Sequence, residues 1–166
     1  MAASHSSPRS AGLLLHRRTR DGLEVLLVHP GGPFWARRDA GAWSIPKGET
    51  DPGEDPLAAA RREFTEELGS PPPGGEAIAL GEVRQKSGKR VTAWALAGDL
   101  DPSTIAGNTF SMEWPPRSGR TQEFPEVDRA QWFDLSAARE KLIAGQTAFL
   151  DRLLDVLGRG RDGSYT

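Results

Sequence analysis

The chain has 166 residues, enough for one domain with a hydrophobic core. Its composition, 37% hydrophobic and 27% charged, fits neither a disordered nor a membrane-embedded protein. A formal charge of −2 argues against a long nucleic acid as the main ligand, and the absence of cysteine excludes disulfides and thiolate metal sites.

Residues 1–9 are polar and Ser-rich, without the apolar core of a signal peptide, and read as a loose tail. No apolar run approaches the roughly 20 residues needed to span a bilayer. The expected location is the cytoplasm. Residues 10–157 read as the single domain. Residues 12–15 and 23–28 read as strands of a hairpin, joined by the turn signal Arg20-Asp21-Gly22. A Gly/Pro-rich loop covers 30–41, and residues 43–46 read as a short strand ending at Pro46. Residues 57–68 predict a helix, with Asp55 as cap, Pro56 at its first position and Gly69 at its end. Leu57, Ala60, Phe64 and Leu68 form its apolar stripe. Residues 77–83 and 90–97 read as strands about a Ser87-Gly88 turn. Residues 99–126 read as irregular, with a short strand near 110–114, and 130–133 as a last strand. Ser136 is the expected cap of a helix reaching Ala144. Thr147 is the expected cap of another reaching Leu157, with 158–166 a second loose tail. Strands mixed with helices suggest a sheet between helical layers.

The chemistry concentrates in residues 48–69. At about 100° per residue, Glu63, Glu66 and Glu67 share roughly one 100° arc beside the apolar stripe. Carboxylates so placed repel one another, and the helix dipole disfavours the last two. A hard divalent cation would resolve both conflicts. With only His5, His16 and His29 present, widely spaced, a His-based zinc site has little support, so oxygen ligands are expected. Taken alone, the three carboxylates read equally as a solvated acidic face. A calcium loop of the EF-hand type at 51–55 fails, because its ligand order is absent.

The complete spacing resembles the Nudix box, G-x5-E-x7-R-E-U-x-E-E-x-G-U, through Gly48, Glu54, Arg62, Glu63, Phe64, Glu66, Glu67 and Gly69. Seven fixed identities match by chance on the order of 10⁻⁸ to 10⁻⁹ per start. Ser70 departs from the pattern at a position that packs rather than reacts. The lead-in from Trp43 to Gly48 and the late Glu126-Val127 and Trp132-Phe133 segments extend the likeness over most of 10–157. The resemblance implies an α/β/α sandwich with a mixed central sheet flanked by helices. It also implies metal-dependent hydrolysis of a phosphoanhydride in a nucleoside diphosphate linked to another group.

Carried onto these positions, the resemblance makes Glu63, Glu66 and Glu67 ligands of Mg²⁺ (or Mn²⁺), with backbone oxygen near Lys47 and Gly48 adding a donor. Glu63 doubles as candidate base, and Arg62 holds carboxylates through its forked donors. Glu54 is a supporting anchor. Among late acidic residues Glu126 is the first candidate for catalysis and Glu123 the second; both also read as loop charges. Lys47, Lys86 and Lys89 are candidates to hold phosphates, with Arg90, Arg37 and Arg38 behind them. Trp35, Trp94 and Trp114 are candidates to stack on a base; Trp43 and Trp132 read as core. The lead-in is similar to the branch acting on diadenosine and diphosphoinositol polyphosphates, which favours a substrate with several phosphates; dinucleoside polyphosphates, nucleoside triphosphates and ADP-ribose-type sugars all stay open. A catalytically silent nucleotide-binding domain and RNA 5′-end processing are the alternatives. The expected partner is a small nucleotide, with no membrane, and the sequence leaves monomer or homodimer open.

Overall fold

A computed structural model describes residues 9–165. Strands β1 (Arg9–Thr19) and β2 (Gly22–Pro30) form the expected hairpin, with Thr19 opposite Gly22 across a two-residue turn. Both strands are longer than the apolar runs suggest, and Arg9, expected in the N-terminal tail, opens β1. The rest of that tail, 1–8, lies outside the described residues. Strand β3 (Lys47–Glu49) is not the 43–46 segment predicted from sequence. Trp43 and Ser44 make only isolated bridges, Ser44 to Val28 and Trp43 to Leu142, and the strand begins after Pro46, whose ring cannot donate to a ladder.

Helix α1 (Pro56–Leu68) is bounded as its sequence dictates. The Asp55 carboxylate accepts from the Ala58 N–H, and Gly69 ends the helix in the left-handed region at φ +77°. Strands β4 (Ile78–Arg84) and β5 (Arg90–Ala97) follow. The stretch 99–126, read as mostly irregular, instead holds a second hairpin, β6 (Thr109–Glu113) and β7 (Thr121–Pro125). Strand β6 is the short strand expected near 110–114, with Phe110 and Met112 alternately half-buried, whereas β7 is unexpected, since Phe124 alone is half-buried along it. Strand β8 (Val127–Asp134) leads into α2 (Leu135–Lys141). Asp134, not Ser136, caps α2 by accepting from the Ala137 N–H. A 3₁₀ turn, Ala144–Gln146, precedes α3 (Ala148–Tyr165). The Thr147 hydroxyl donates back to the Ala144 carbonyl rather than capping α3. The helix continues past Leu157 through the segment expected as a tail.

The main sheet runs β4-β5-β1-β2-β8, with β3 beside the start of β1. Only β1 and β5 are parallel, so the sheet is mixed. Alternation along β1 sorts its side chains. Ala11, Leu13 and Leu15 pack with Phe64 and Leu68 of α1, whereas Leu14 packs with Phe149, Leu150 and Leu153 of α3. The sheet thus lies between helical layers. Trp43 is core as expected, but Trp132 is only half-buried, with its indole N–H donating to the Leu100 carbonyl and Arg17 stacked over its ring. Among the described residues no helix is long and apolar enough to cross a membrane.

The C-terminus of α1 is fixed by backbone. The Ala106 N–H donates to the Leu68 carbonyl at 3.1 Å and the Asn108 N–H to the Glu66 carbonyl at 2.7 Å. These bonds satisfy carbonyls that a helix end leaves without partners. Between them Gly107 presses so close that a Cβ would sit 2.0 Å from the Glu67 carbonyl oxygen. Gly107→Ala is expected to force this segment off the helix at a cost of about 1–3 kcal/mol. Thermal unfolding checks it: a lower Tm is expected, and an unchanged Tm would mean that the segment does not depend on this approach.

Candidate active site

Glu63, Glu66 and Glu67 stand on the last two turns of α1, and β3 runs across them. A Cβ at Gly48 would lie 1.8 Å from Glu63 Oε2, so only glycine lets the strand pass over this carboxylate. The Lys47 N–H donates to Glu67 Oε1 at 2.8 Å.

Arg62 gathers the remaining charge. Its Nε and Nη2 grip the two oxygens of Glu54 at 2.8 and 2.9 Å. Its Nη1 donates to Glu63 at 2.8 Å and to Glu66 at 3.1 Å, and its Nη2 also reaches the Glu49 carbonyl. Glu54 additionally accepts from the Asp51 N–H, which ties the loop before α1 to the same cation. Hydrogen bonds from Arg62 hold the Glu54 carboxyl down at about 2, and those from Glu54 raise the guanidinium in turn. Arg62 is therefore a positioning residue: it touches carboxylates and does not line the cleft beside them.

That cleft measures about 360 Å³. Its lining mixes charged Lys47, Glu67 and Glu126 with apolar Trp35, Phe110, Val127 and Ile143. Burial pushes Glu67 up to about 8, with the charges of Glu63 and Glu126 adding to the shift and Lys47 opposing it. Burial likewise raises Glu63, against the hydrogen bond from Arg62. Lys47 is lowered, first by burial and then by the charge of Lys89, against Glu67 and Glu63. Lys89 itself is not among the residues lining the cleft. Positive charge of this kind beside the carboxylates suits an anion of high charge density.

Glu126 reaches the cleft through a backbone relay. Asn108, whose N–H anchors the end of α1, accepts with its carbonyl from the Glu126 N–H at 3.0 Å, and the Glu126 carbonyl accepts from the Gly31 N–H at 2.9 Å. Glu123, the second candidate, sits on the β6–β7 hairpin and accepts from the Thr109 hydroxyl, away from the cleft lining. Lys86 is exposed in the β4–β5 turn and is not among the lining residues, so the structure does not bring it to the site. Trp94 packs against the α1-side core, and Trp114 stands edge-on to Phe34. Arg37 is exposed, Arg90 opens β5, and Arg38 lies over the Trp35 ring at 5.5 Å. Sequence reasoning missed Phe110, Val127 and Ile143. They come from three separate elements, and nothing in their local spacing links them.

Among the described residues no three carboxylate or histidine groups converge to metal-ligand distance here. Arg62 holds Glu63 and Glu66, while Glu67 is turned onto the Lys47 N–H. The donor set nevertheless fits a hard cation. It is all oxygen, it includes a half-buried carboxylate raised by its neighbours, and Gly48 clears the approach to Glu63.

The NUDIX domain profile matches residues 6–153. Locally the chain is 44% identical over 59 residues to the RNA pyrophosphohydrolase of Caulobacter vibrioides, a match covering 32% of this chain and 34% of that protein. It is 42% identical over 67 residues to that of Rhodospirillum rubrum, covering 39% and 38%. The matches thus span little more than a third of those relatives. In three dimensions the chain is similar to a C. elegans Ap4A hydrolase in a binary complex, with TM-score 0.65, 22% identity and coverage of 90% and 98%. It is also similar to the NUDIX domain of Shewanella oneidensis NrtR complexed with ADP ribose, with TM-score 0.61, 16% identity and coverage of 95% and 90%.

The Glu67 environment gives a signed prediction for the metal-free protein. A carboxyl raised on folding from 4.5 to about 8 favours the fold below its unfolded value, and that contribution is lost as pH rises through 8. Glu67→Gln keeps an acceptor for the Lys47 N–H but cannot ionise. In chelator at pH 8.5 it should melt above the wild type, and the gap should close towards pH 5. A variant that melts below the wild type at pH 8.5 would overturn this account.

Proposed function

The chain belongs to the Nudix family, and from that premise we propose that it is a divalent-metal-dependent pyrophosphohydrolase. Its substrate is a nucleoside diphosphate linked to another group, of the dinucleoside polyphosphate or nucleoside triphosphate class. The observation that carries this reading is the mixed lining of the cleft, where charged Glu67, Glu126 and Lys47 occur together with aromatic Trp35 and Phe110. A nucleotide needs both kinds of partner, for its polyphosphate and for its aromatic base.

Glu63, Glu66 and Glu67, with backbone oxygen near Gly48, would hold Mg²⁺ or Mn²⁺. Bound there, the ion supplies charge neutralisation to the phosphates and lowers the pKa of water. Arg62 keeps Glu63 and Glu66 in place and offsets their mutual repulsion. Lys47, with Lys89 behind it, takes the phosphate oxygens farther along the chain. Glu126, which lines the cleft, and Glu63, which stands on α1 against Gly48, are the candidate bases, each able to accept a proton from an attacking water. Trp35 and Phe110 hold the nucleotide base and exclude water from it.

A second reading, removal of pyrophosphate from an RNA 5′ end, draws on the RNA pyrophosphohydrolase relatives. The same cleft could take a terminal nucleotide. The formal charge of −2 gives no extended basic track for the chain behind it.

Purified protein with Mg²⁺ or Mn²⁺ is to be given diadenosine tetraphosphate, nucleoside triphosphates, ADP-ribose and 5′-triphosphorylated RNA. Turnover of the free nucleotides is expected, with Glu66→Gln and Glu67→Gln each slower by at least about 100-fold. Near-wild-type rates in both would refute the ligand assignment. Preference for RNA with a steep salt dependence would favour the second reading, and metal-dependent binding without turnover would leave a silent binding domain. Lys89→Ala is expected to raise KM about tenfold with kcat little changed, the signature of lost uniform binding.

A further inference from the structure

His29, the penultimate residue of β2, is fully buried, yet both of its ring nitrogens are engaged. Nδ1 lies 2.8 Å from Asp128 Oδ1, and Nε2 lies 2.6 Å from the Arg38 carbonyl oxygen. A carbonyl only accepts, so Nε2 donates to Arg38, and Nδ1 is left to pair with the Asp128 carboxyl. Packing does not explain a histidine here. Its neighbour Trp43 meets it edge-on at 5.1 Å, and an apolar ring would fill that space without two buried hydrogen bonds.

What the two bonds join is more telling. Arg38 closes the turn that carries Trp35: its N–H donates to the Trp35 carbonyl at 3.0 Å, and the Trp35 N–H donates to the Gly32 carbonyl. Asp128 lies at the start of β8, where the ladder skips a residue. His29 pairs with Arg129 and Pro30 with Val127, so Asp128 is the bulged residue between them. A bulge re-aims a side chain that regular pairing would fix elsewhere. Immediately before it stand Val127 and Glu126, which line the cleft. One buried ring thus bridges the loop bearing Trp35 and the strand bearing Glu126. The other charged groups nearby are paired or outward. Arg129 sits 3.6 Å from Asp128 and over Trp43, and Asp39 takes the Trp43 indole N–H and the Lys141 ammonium.

We propose that His29 is a positioning residue, tying the Trp35 loop to the β8 bulge and so setting the distance from Trp35 to Glu126 and Val127 across the cleft. The inference rests on the reading of this cleft as a nucleotide site, but the tie itself is independent of turnover.

Two variants test it. His29→Gln keeps at most one of the two bonds, and Asp128→Ala removes one through a partly exposed side chain, so the second decides if the first does not fold. Amide hydrogen exchange on the full chain is the first readout. In either variant residues 31–38 should exchange about tenfold faster or more, with α1 unchanged. Steady-state kinetics with Mg²⁺ and diadenosine tetraphosphate are the second: KM should rise about tenfold while kcat stays within about threefold. Unchanged loop exchange in Asp128→Ala would overturn the tie. Faster exchange with KM unchanged, or with kcat falling as far as KM rises, would overturn its role in setting the cleft. If the wild type turns over no nucleotide, the functional reading fails, and the exchange data still decide whether His29 holds the loop.

Discussion

The Arg62 guanidinium is the interaction on which the site depends. Three carboxylates crowd the last two turns of α1, where the dipole and their own repulsion act against them, and Glu54 and the Glu49 carbonyl join them from the segment before the helix. A planar cation with five donors can serve several at once. Here it takes both oxygens of Glu54 and one each of Glu63 and Glu66. A lysine could neutralise a similar charge but could not hold the oxygens in fixed directions. Glu54 belongs to the loop before α1, so the same contact fixes that loop against the helix. Glu67 is left outside this cluster, half-buried, raised and lining the cleft, with its carboxylate accepting from the Lys47 N–H.

The second constraint is carried by backbone. Carbonyls at the end of α1 need partners, and the 106–108 segment supplies them at the closest approach the chain permits. From Asn108 the bonds continue to Glu126 and on to Gly31. The helix with the carboxylates, the strand start with Glu126 and the loop with Trp35 are therefore one connected unit. His29 closes it from the far side through Asp128 and Arg38. The sheet does the larger work of bringing these segments to one end, since β1 pairs with β2, β3 and β5.

The cleft that results is mixed in chemistry. Of its charged residues, burial raises Glu67 and lowers Lys47, as expected where charge must be handled away from bulk water. Much of the remaining lining is aromatic and aliphatic. Similarity to solved structures under 25% identity shows the fold alone, so the case for a nucleotide rests on this mixed lining together with membership of the family.

Much of this was legible in the residues. Helix α1, its cap, its glycine stop and the grouping of Glu63, Glu66 and Glu67 follow from spacing along one helix, because a helix converts sequence separation directly into direction. The β1–β2 hairpin and β5 were readable for a similar reason, with buried alternation and a two-residue turn acting over a few residues. Of the second hairpin, β6 was readable from the alternation of Phe110 and Met112, but β7 was not, because Phe124 is its one half-buried residue. Nor was the choice of Asp134 over Ser136 as a cap, since both residues can accept and only the path of β8 into α2 decides between them. The merging of Glu126, Phe110 and Trp35 into one cleft with Glu67, the exclusion of Lys86 and the two-sided grip of His29 belong to tertiary structure alone. Each depends on hydrogen bonds and strand pairings between residues far apart in the chain, and local sequence patterns do not specify those distances.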